Sequence, residues 1–110
     1  MTPGIYLVTF LASAKAIGWG LVVVDREKIH GGDHSYLYRG TYRASGNAVN
    51  ADLFVSHYQG ELNSVLGPLN TFQLNLSGTH SEKGFALSGH VEGQPQMAIT
   101  VQGEKKADLL

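Results

Sequence analysis

The stretch HGGDHSYLYRGTY contains the side chains that come closest to a chemical site in this 110-residue chain. His30, Asp33 and His34 are residue types that bind a metal, and the two histidines lie four residues apart. That spacing brings two imidazoles together on a helix, whereas paired glycines before a strand-like segment predict a turn. We therefore expect positive backbone dihedrals at Gly31 and Gly32, and hydrogen bonds from downstream amides to Asp33. A metal site is the competing interpretation, but we predict no metal and no other cofactor.

Other arrangements typical of enzymes are missing from the sequence. It has no cysteine, no nucleophile elbow and no His-Glu-x-x-His motif. The triplet Gly18-Trp19-Gly20 opens a predicted strand and not a helix, so it is not a phosphate loop. The alternative is that its glycines leave space for a bulky inward side chain, such as a tyrosine. His57 and His90 fall within strand patterns. We predict that the chain is not an enzyme.

Composition restricts the partners. Charged residues make up 15% of the chain, which is low for a soluble protein, so part of the surface is expected to be covered by a partner. The eight basic and nine acidic residues are scattered, which predicts no direct contact with nucleic acid and none with an anionic membrane. No apolar run approaches the length of a membrane helix, and the apolar residues 5–12 look like a strand rather than a signal peptide. We expect a cytoplasmic protein.

The residue pattern predicts an all-β fold. Short segments rich in Val, Ile, Leu, Tyr, Phe and Thr are separated by turn residues. They lie at residues 5–11, 18–25, 28–31, 35–43, 49–58, 71–77, 84–92 and 96–103. Short turns between them, including Gly78-Thr79-His80-Ser81, favour antiparallel neighbours, and closing the sheet removes exposed edges. We predict one domain over residues 1–110: a small closed up-and-down barrel of about eight strands.

Alternation along the strands predicts which side chains point inward. The candidate interior residues are Tyr36, Tyr38, Tyr42, Leu53, Phe72, Leu74, Phe85, Leu87, Met97 and Ile99. The tyrosines either line a cavity for a small hydrophobic ligand or fill the interior completely. An eight-stranded barrel encloses little more than side-chain volume, which favours the filled interior.

The first two strands are apolar on both faces, so one face is expected to fill the barrel and the other to meet a partner. We expect a homodimer contact there. The candidate residues are Tyr6, Val8, Phe10, Trp19, Leu21 and Val23.

Residues 59–70 form the one long connection. Leu62, Val65 and Leu66 have the spacing of a short helical turn, which Gly67-Pro68 would end. A helical turn here would close one end of the barrel. An irregular loop is the alternative.

The chain resembles the GrlR-type negative regulators of type III secretion. The resemblance is carried by residues in the same order along most of the chain: Gly4-Ile5-Tyr6 with Phe10, Gly18-x-Gly20, Gly31-Gly32-Asp33 followed by Tyr36, Tyr38 and Gly40, then Ser64-Val65-Leu66 and Gln73-Leu74. It implies a lipocalin-like barrel, a homodimer, and a repressor that binds a transcriptional activator rather than DNA. We expect a non-enzymatic regulator of this kind, or alternatively a carrier or sensor of a small hydrophobic ligand.

The sequence departs from that family at one turn. Repressor members carry an acidic run between the strands that correspond to the fourth and fifth here. In this chain the turn is Ala44-Ser45-Gly46-Asn47, which has no carboxylate. Electrostatic pairing with a basic activator therefore lacks its usual site.

Overall fold

The computed structural model describes residues 1–13 and 15–110, and in that part of the chain every regular element is a β-strand. The strands are β1 (Gly4–Ala12), β2 (Ile17–Asp25), β3 (Lys28–Gly32), β4 (Tyr36–Ser45), β5 (Ala48–His57), β6 (Thr71–Ser81), β7 (Gly84–Val91) and β8 (Gln94–Ala107). Each pairs antiparallel with the next, and β8 pairs with β1. The predicted all-β, closed up-and-down barrel is confirmed. No helix within the described residues is long and apolar enough to cross a membrane.

The strands form because their side chains alternate between two environments. In β5, Val49, Ala51, Leu53 and Val55 are buried while the residues between them are exposed. Tight two-residue turns connect many of the strands. Arg26 and Glu27, which join β2 to β3, both have positive φ, as a hairpin turn that matches the strand twist requires.

The barrel has two different ends. We call the end that carries the β2–β3, β4–β5 and β6–β7 turns the turn end, and the opposite end, where β5 leaves and β6 enters, the loop end. The turn end is packed solidly. Tyr6 and Phe85 contact each other there with ring centroids 5.4 Å apart, and Tyr42 and Met1 belong to the same apolar cluster.

The turn predicted at residues 78–81 is wrong. Residues Gly78-Thr79-His80-Ser81 are not a turn but the last part of β6, and the turn falls at residues 82–83. The backbone of Gly78 packs so closely on Ala86 that a side chain would not fit, so this glycine serves strand contact rather than chain reversal.

The connection between β5 and β6 contains no helix, so the predicted helical turn is wrong. Ser64 and Gly67 form an isolated bridge, and the Ser64 hydroxyl donates to the Gly67 carbonyl at 2.7 Å. Gly60 and Gly67 both have positive φ, which is incompatible with a continuing helix. Val65 and Leu66 still pack against the core, so the irregular loop covers part of the loop end.

Candidate functional site: an interior cavity and an apolar outer face

A cavity of about 500 Å³ lies at the loop end, a volume within the range of small-molecule sites. Its walls come from the ends of β1 and β5, the starts of β2, β4 and β6, part of β8, and the β3–β4 and β5–β6 connections. The lining side chains include Phe10, Trp19, Tyr36, Tyr38, Leu53, Val55, Val65, Leu66, Phe72, Leu74 and Ile99. The interior is therefore packed at one end and hollow at the other.

The three tyrosines of β4 divide between these two regions. Tyr36 and Tyr38 line the cavity, whereas Tyr42 packs at the turn end, and all three are buried. Phe10 meets Tyr38 edge-on with ring centroids 5.5 Å apart, and Phe72 lies against Tyr36 at 6.4 Å. The cavity walls are thus held by aromatic contacts that fix ring orientations.

The other predicted interior residues also face inward, and some lie away from the cavity. Leu53, Leu74 and Ile99 are buried and form cavity wall. Phe85 and Leu87 belong to the packed core, and Met97 is partly buried against it. The loop residues Val65 and Leu66, predicted for a helical turn, form part of the cavity wall.

Asp33 organises the turn that leads into the cavity wall. One carboxylate oxygen, Oδ1, accepts hydrogen bonds from the backbone amides of Ser35 at 2.8 Å and Tyr36 at 2.7 Å. The predicted bonds from downstream amides are confirmed. The other oxygen, Oδ2, accepts a short hydrogen bond from the Tyr38 hydroxyl. The turn and the strand that follows it are therefore locked to one carboxylate.

Burial raises the pKa of Tyr38 well above the usual range of a phenol, and the hydrogen bond and negative charge of Asp33 raise it further. The hydroxyl therefore keeps its proton at neutral pH and acts as a donor to Asp33.

The two glycines before Asp33 do not have the predicted positive φ. Gly31 and Gly32 are the last residues of β3, and neither is among the positive-φ positions. A side chain at Gly31 would overlap the backbone of Leu21 and Val22 in β2. Gly31 is therefore required by close strand approach, and the turn itself begins only at Asp33. Gly20 leaves space for a tyrosine, as predicted, because a Cβ atom added there would lie 3.0 Å from the Tyr38 ring.

The histidines of the opening stretch are not gathered into a cluster. His30 lies on the exposed face of β3, paired with Arg39 of β4, and His34 lies in the turn at the rim of the cavity. Among the described residues, no three side chains of the His, Cys, Asp or Glu type are grouped so that they could hold a metal ion.

The outer surface of β1 and β2 is apolar. Ile17, Trp19, Leu21 and Val23 alternate outward along β2 and are 77%, 65%, 48% and 39% exposed. Across the sheet, Ile5, Leu7 and Leu11 point outward from β1 and stand opposite Val23, Leu21 and Ile17. We define these seven residues as the outer apolar face.

Three residues predicted for a dimer contact do not belong to this outer apolar face. Tyr6 and Val8 are buried in the barrel, and Phe10 packs against the core and lines the cavity. Because β1 is apolar at nearly every position, its sequence does not reveal which alternate set faces outward. The register of β1 against β2 and β8 determines which of its side chains point into the barrel.

These features define a small closed antiparallel β-barrel with one hollow end and one apolar outer face. The chain matches the family described as T3SS negative regulator, GrlR, over residues 1–109, and it belongs to that family. No curated protein matches the chain.

Proposed function

We propose that this protein is a non-enzymatic negative regulator of type III secretion that acts as a homodimer by direct contact with a transcriptional activator. Membership of the GrlR family supports the regulatory role. The observation that carries the mode of action is the outer apolar face, because exposed apolar side chains of this number on adjacent strands are typical of surfaces that bind protein, and we assign this face to the contact between the two copies of the homodimer.

The opposite side of the barrel differs in character. The outward residues of β5 and β6 are mostly polar, including Asn50, Asp52, Asn75 and Ser77. Asn75 donates a hydrogen bond to Asp52 at 2.8 Å, and these outward polar side chains favour contact with solvent on this side. The asymmetry supports a contact centred on β1 and β2.

The turn between β4 and β5 offers no charged group to a partner. Its tip, Gly46-Asn47, carries no charge. The Gly46 carbonyl is hydrogen-bonded to the His80 ring at 2.8 Å, and the Asn47 carbonyl accepts from the His80 backbone amide at 2.9 Å. A contact that does not depend on an acidic run would have to gain its affinity mainly from buried apolar area.

A secretion reporter in the native host tests this role. Expression of the wild-type chain should lower transcription from the reporter, and a tagged copy should retain the activator that drives it. Leu21→Lys places a charge in the outer apolar face and should abolish most of the effect. Ser77→Lys, the same change on the polar side, should leave it intact. An unchanged reporter with the wild type, or an activator that is not retained, contradicts the proposal.

The cavity favours a second function, in which the barrel carries or senses a small hydrophobic molecule. About 500 Å³ of space walled by aromatic and aliphatic side chains would hold such a ligand. A regulator of this design could respond to a metabolite, and the two functions are compatible in one chain.

A further inference from the structure

We propose that the cavity selects a small, largely apolar molecule whose polar group donates hydrogen bonds and carries no negative charge, such as an alcohol or a protonated amine, and that it discriminates against acids. This inference rests on the proposed ligand-binding function and adds the chemistry of the ligand.

The first reason is that the hydroxyl protons of the cavity are already used. Among the described lining residues, the hydroxyl groups belong to Tyr36, Tyr38 and Ser64. Tyr36 donates to the Leu69 carbonyl at 2.6 Å, Tyr38 donates to Asp33, and Ser64 donates to the Gly67 carbonyl. A hydroxyl has one proton, so what these groups still offer is oxygen lone pairs. A ligand that brings donors finds these lone pairs, whereas a carboxylate or sulfonate, among the described lining side chains, finds N–H donors only on the exposed residues Trp19, His34 and Asn63.

The second reason is charge. Asp33 is a lining residue, and no lysine or arginine lines the cavity in the part of the chain that the structure describes. The other ionisable side chain at the rim besides the tyrosines is His34, which is exposed to solvent. An acid in this space would therefore lie near a like charge without a fixed cation, while a protonated amine would lie near an opposite one.

The third reason is that the apolar part of the ligand has a defined place. Leu53, Leu74 and Ile99 are buried and form the inner wall, while Asp33 and His34 lie in the turn at the loop end. The ligand would be oriented with its apolar body inward and its donor group near Asp33.

Three naphthalene probes of the same skeleton test the inference: naphthylmethanol, naphthylmethylamine and naphthoic acid. They are titrated into the full chain at roughly pH 8, where the acid is ionised and an ordinary histidine is neutral. Calorimetry gives affinity and stoichiometry.

We expect the alcohol and the amine to bind one to one, and the acid to bind at least roughly tenfold more weakly, since like charges at contact distance repel even where water screens them partly. An acid that binds as tightly as the other two overturns the inference but leaves small-molecule binding in place. Failure of all three probes to bind overturns the ligand-binding function itself.

Variants locate the site and the source of the discrimination. Asp33→Asn removes the negative charge and retains one oxygen acceptor. It should reduce the difference in affinity between the amine and the acid. Val65→Trp fills the cavity from the loop, where folding tolerates change, and should weaken binding of the alcohol and the amine at least roughly fivefold. Leu21→Lys alters the outer apolar face only and should leave binding unchanged. If Asp33→Asn does not fold, the comparison of three probes on the wild type still decides the inference.

Discussion

Asp33 shows how one side chain builds the entrance to the cavity. Its position after two glycines and before a strand was enough to predict that it accepts bonds from the following amides. Its bond to Tyr38 follows from the pleat that turns this ring inward and from the space left by Gly20 across the barrel. That contact depends on tertiary packing, which local sequence does not encode.

The raised pKa of Tyr38 predicts a dependence of stability on alkaline pH. Above about pH 10 the unfolded chain loses this phenolic proton while the folded chain keeps it, so the unfolded state binds fewer protons. The free energy of unfolding should therefore be unaffected by this group at lower pH and should fall as pH rises beyond that value.

Urea titrations at a series of alkaline pH values measure this slope. Tyr38→Phe should make the slope shallower, because it removes the phenolic proton whose pKa burial raises. Tyr6, whose pKa burial also raises, should keep a residual slope in the Tyr38 variant. Equal slopes in the wild type and in Tyr38→Phe would contradict the assignment.

At the scale of elements, strands with one apolar face could be predicted well and strands with two could not. Strand β4 alternates tyrosines with residues that are polar except for Leu37, so the residues that point inward could be predicted from the sequence. Strand β1 is apolar on both faces, and only its register against β2 and β8 shows that Tyr6 and Val8 point inward. The β5–β6 loop is a further case, because apolar spacing alone does not distinguish a helical turn from a loop with two positive-φ glycines.

The close approach of β3 to β2 gives a prediction at this scale. Gly31→Ala should lower the free energy of unfolding by about 2–3 kcal/mol, because the added methyl group overlaps strand backbone that cannot move without breaking the ladder. Gly46→Ala is the matched control. Gly46 has φ of 61° but open space around it, so only the backbone conformation is penalised, by about 1 kcal/mol.

Chemical denaturation of both variants measures the difference. A Gly31→Ala protein as stable as Gly46→Ala would show that β2 and β3 are not packed as closely as described.

At the scale of the whole molecule, closure of the barrel was predictable from consecutive strands and short turns, but the cavity was not. Its volume depends on where the long loop rests, because Val65 and Leu66 cover the loop end without filling it. Packing of Tyr6, Tyr42 and Phe85 fills the other end. A barrel of eight strands can accommodate either result, so strand number alone does not determine which end is hollow.

The central claim concerns the outer apolar face: two copies of this protein pair through β1 and β2. Leu21 is suited to test it because it is 48% exposed, lies in the middle of that face and does not line the cavity. Sedimentation equilibrium at about tens of micromolar, a concentration that populates interfaces of modest affinity, measures the outcome directly. The wild type should have twice the 11.8 kDa mass of one chain, Ser77→Lys should match it, and Leu21→Lys should have the mass of one chain. A wild-type protein that sediments as a single chain at that concentration would contradict the claim.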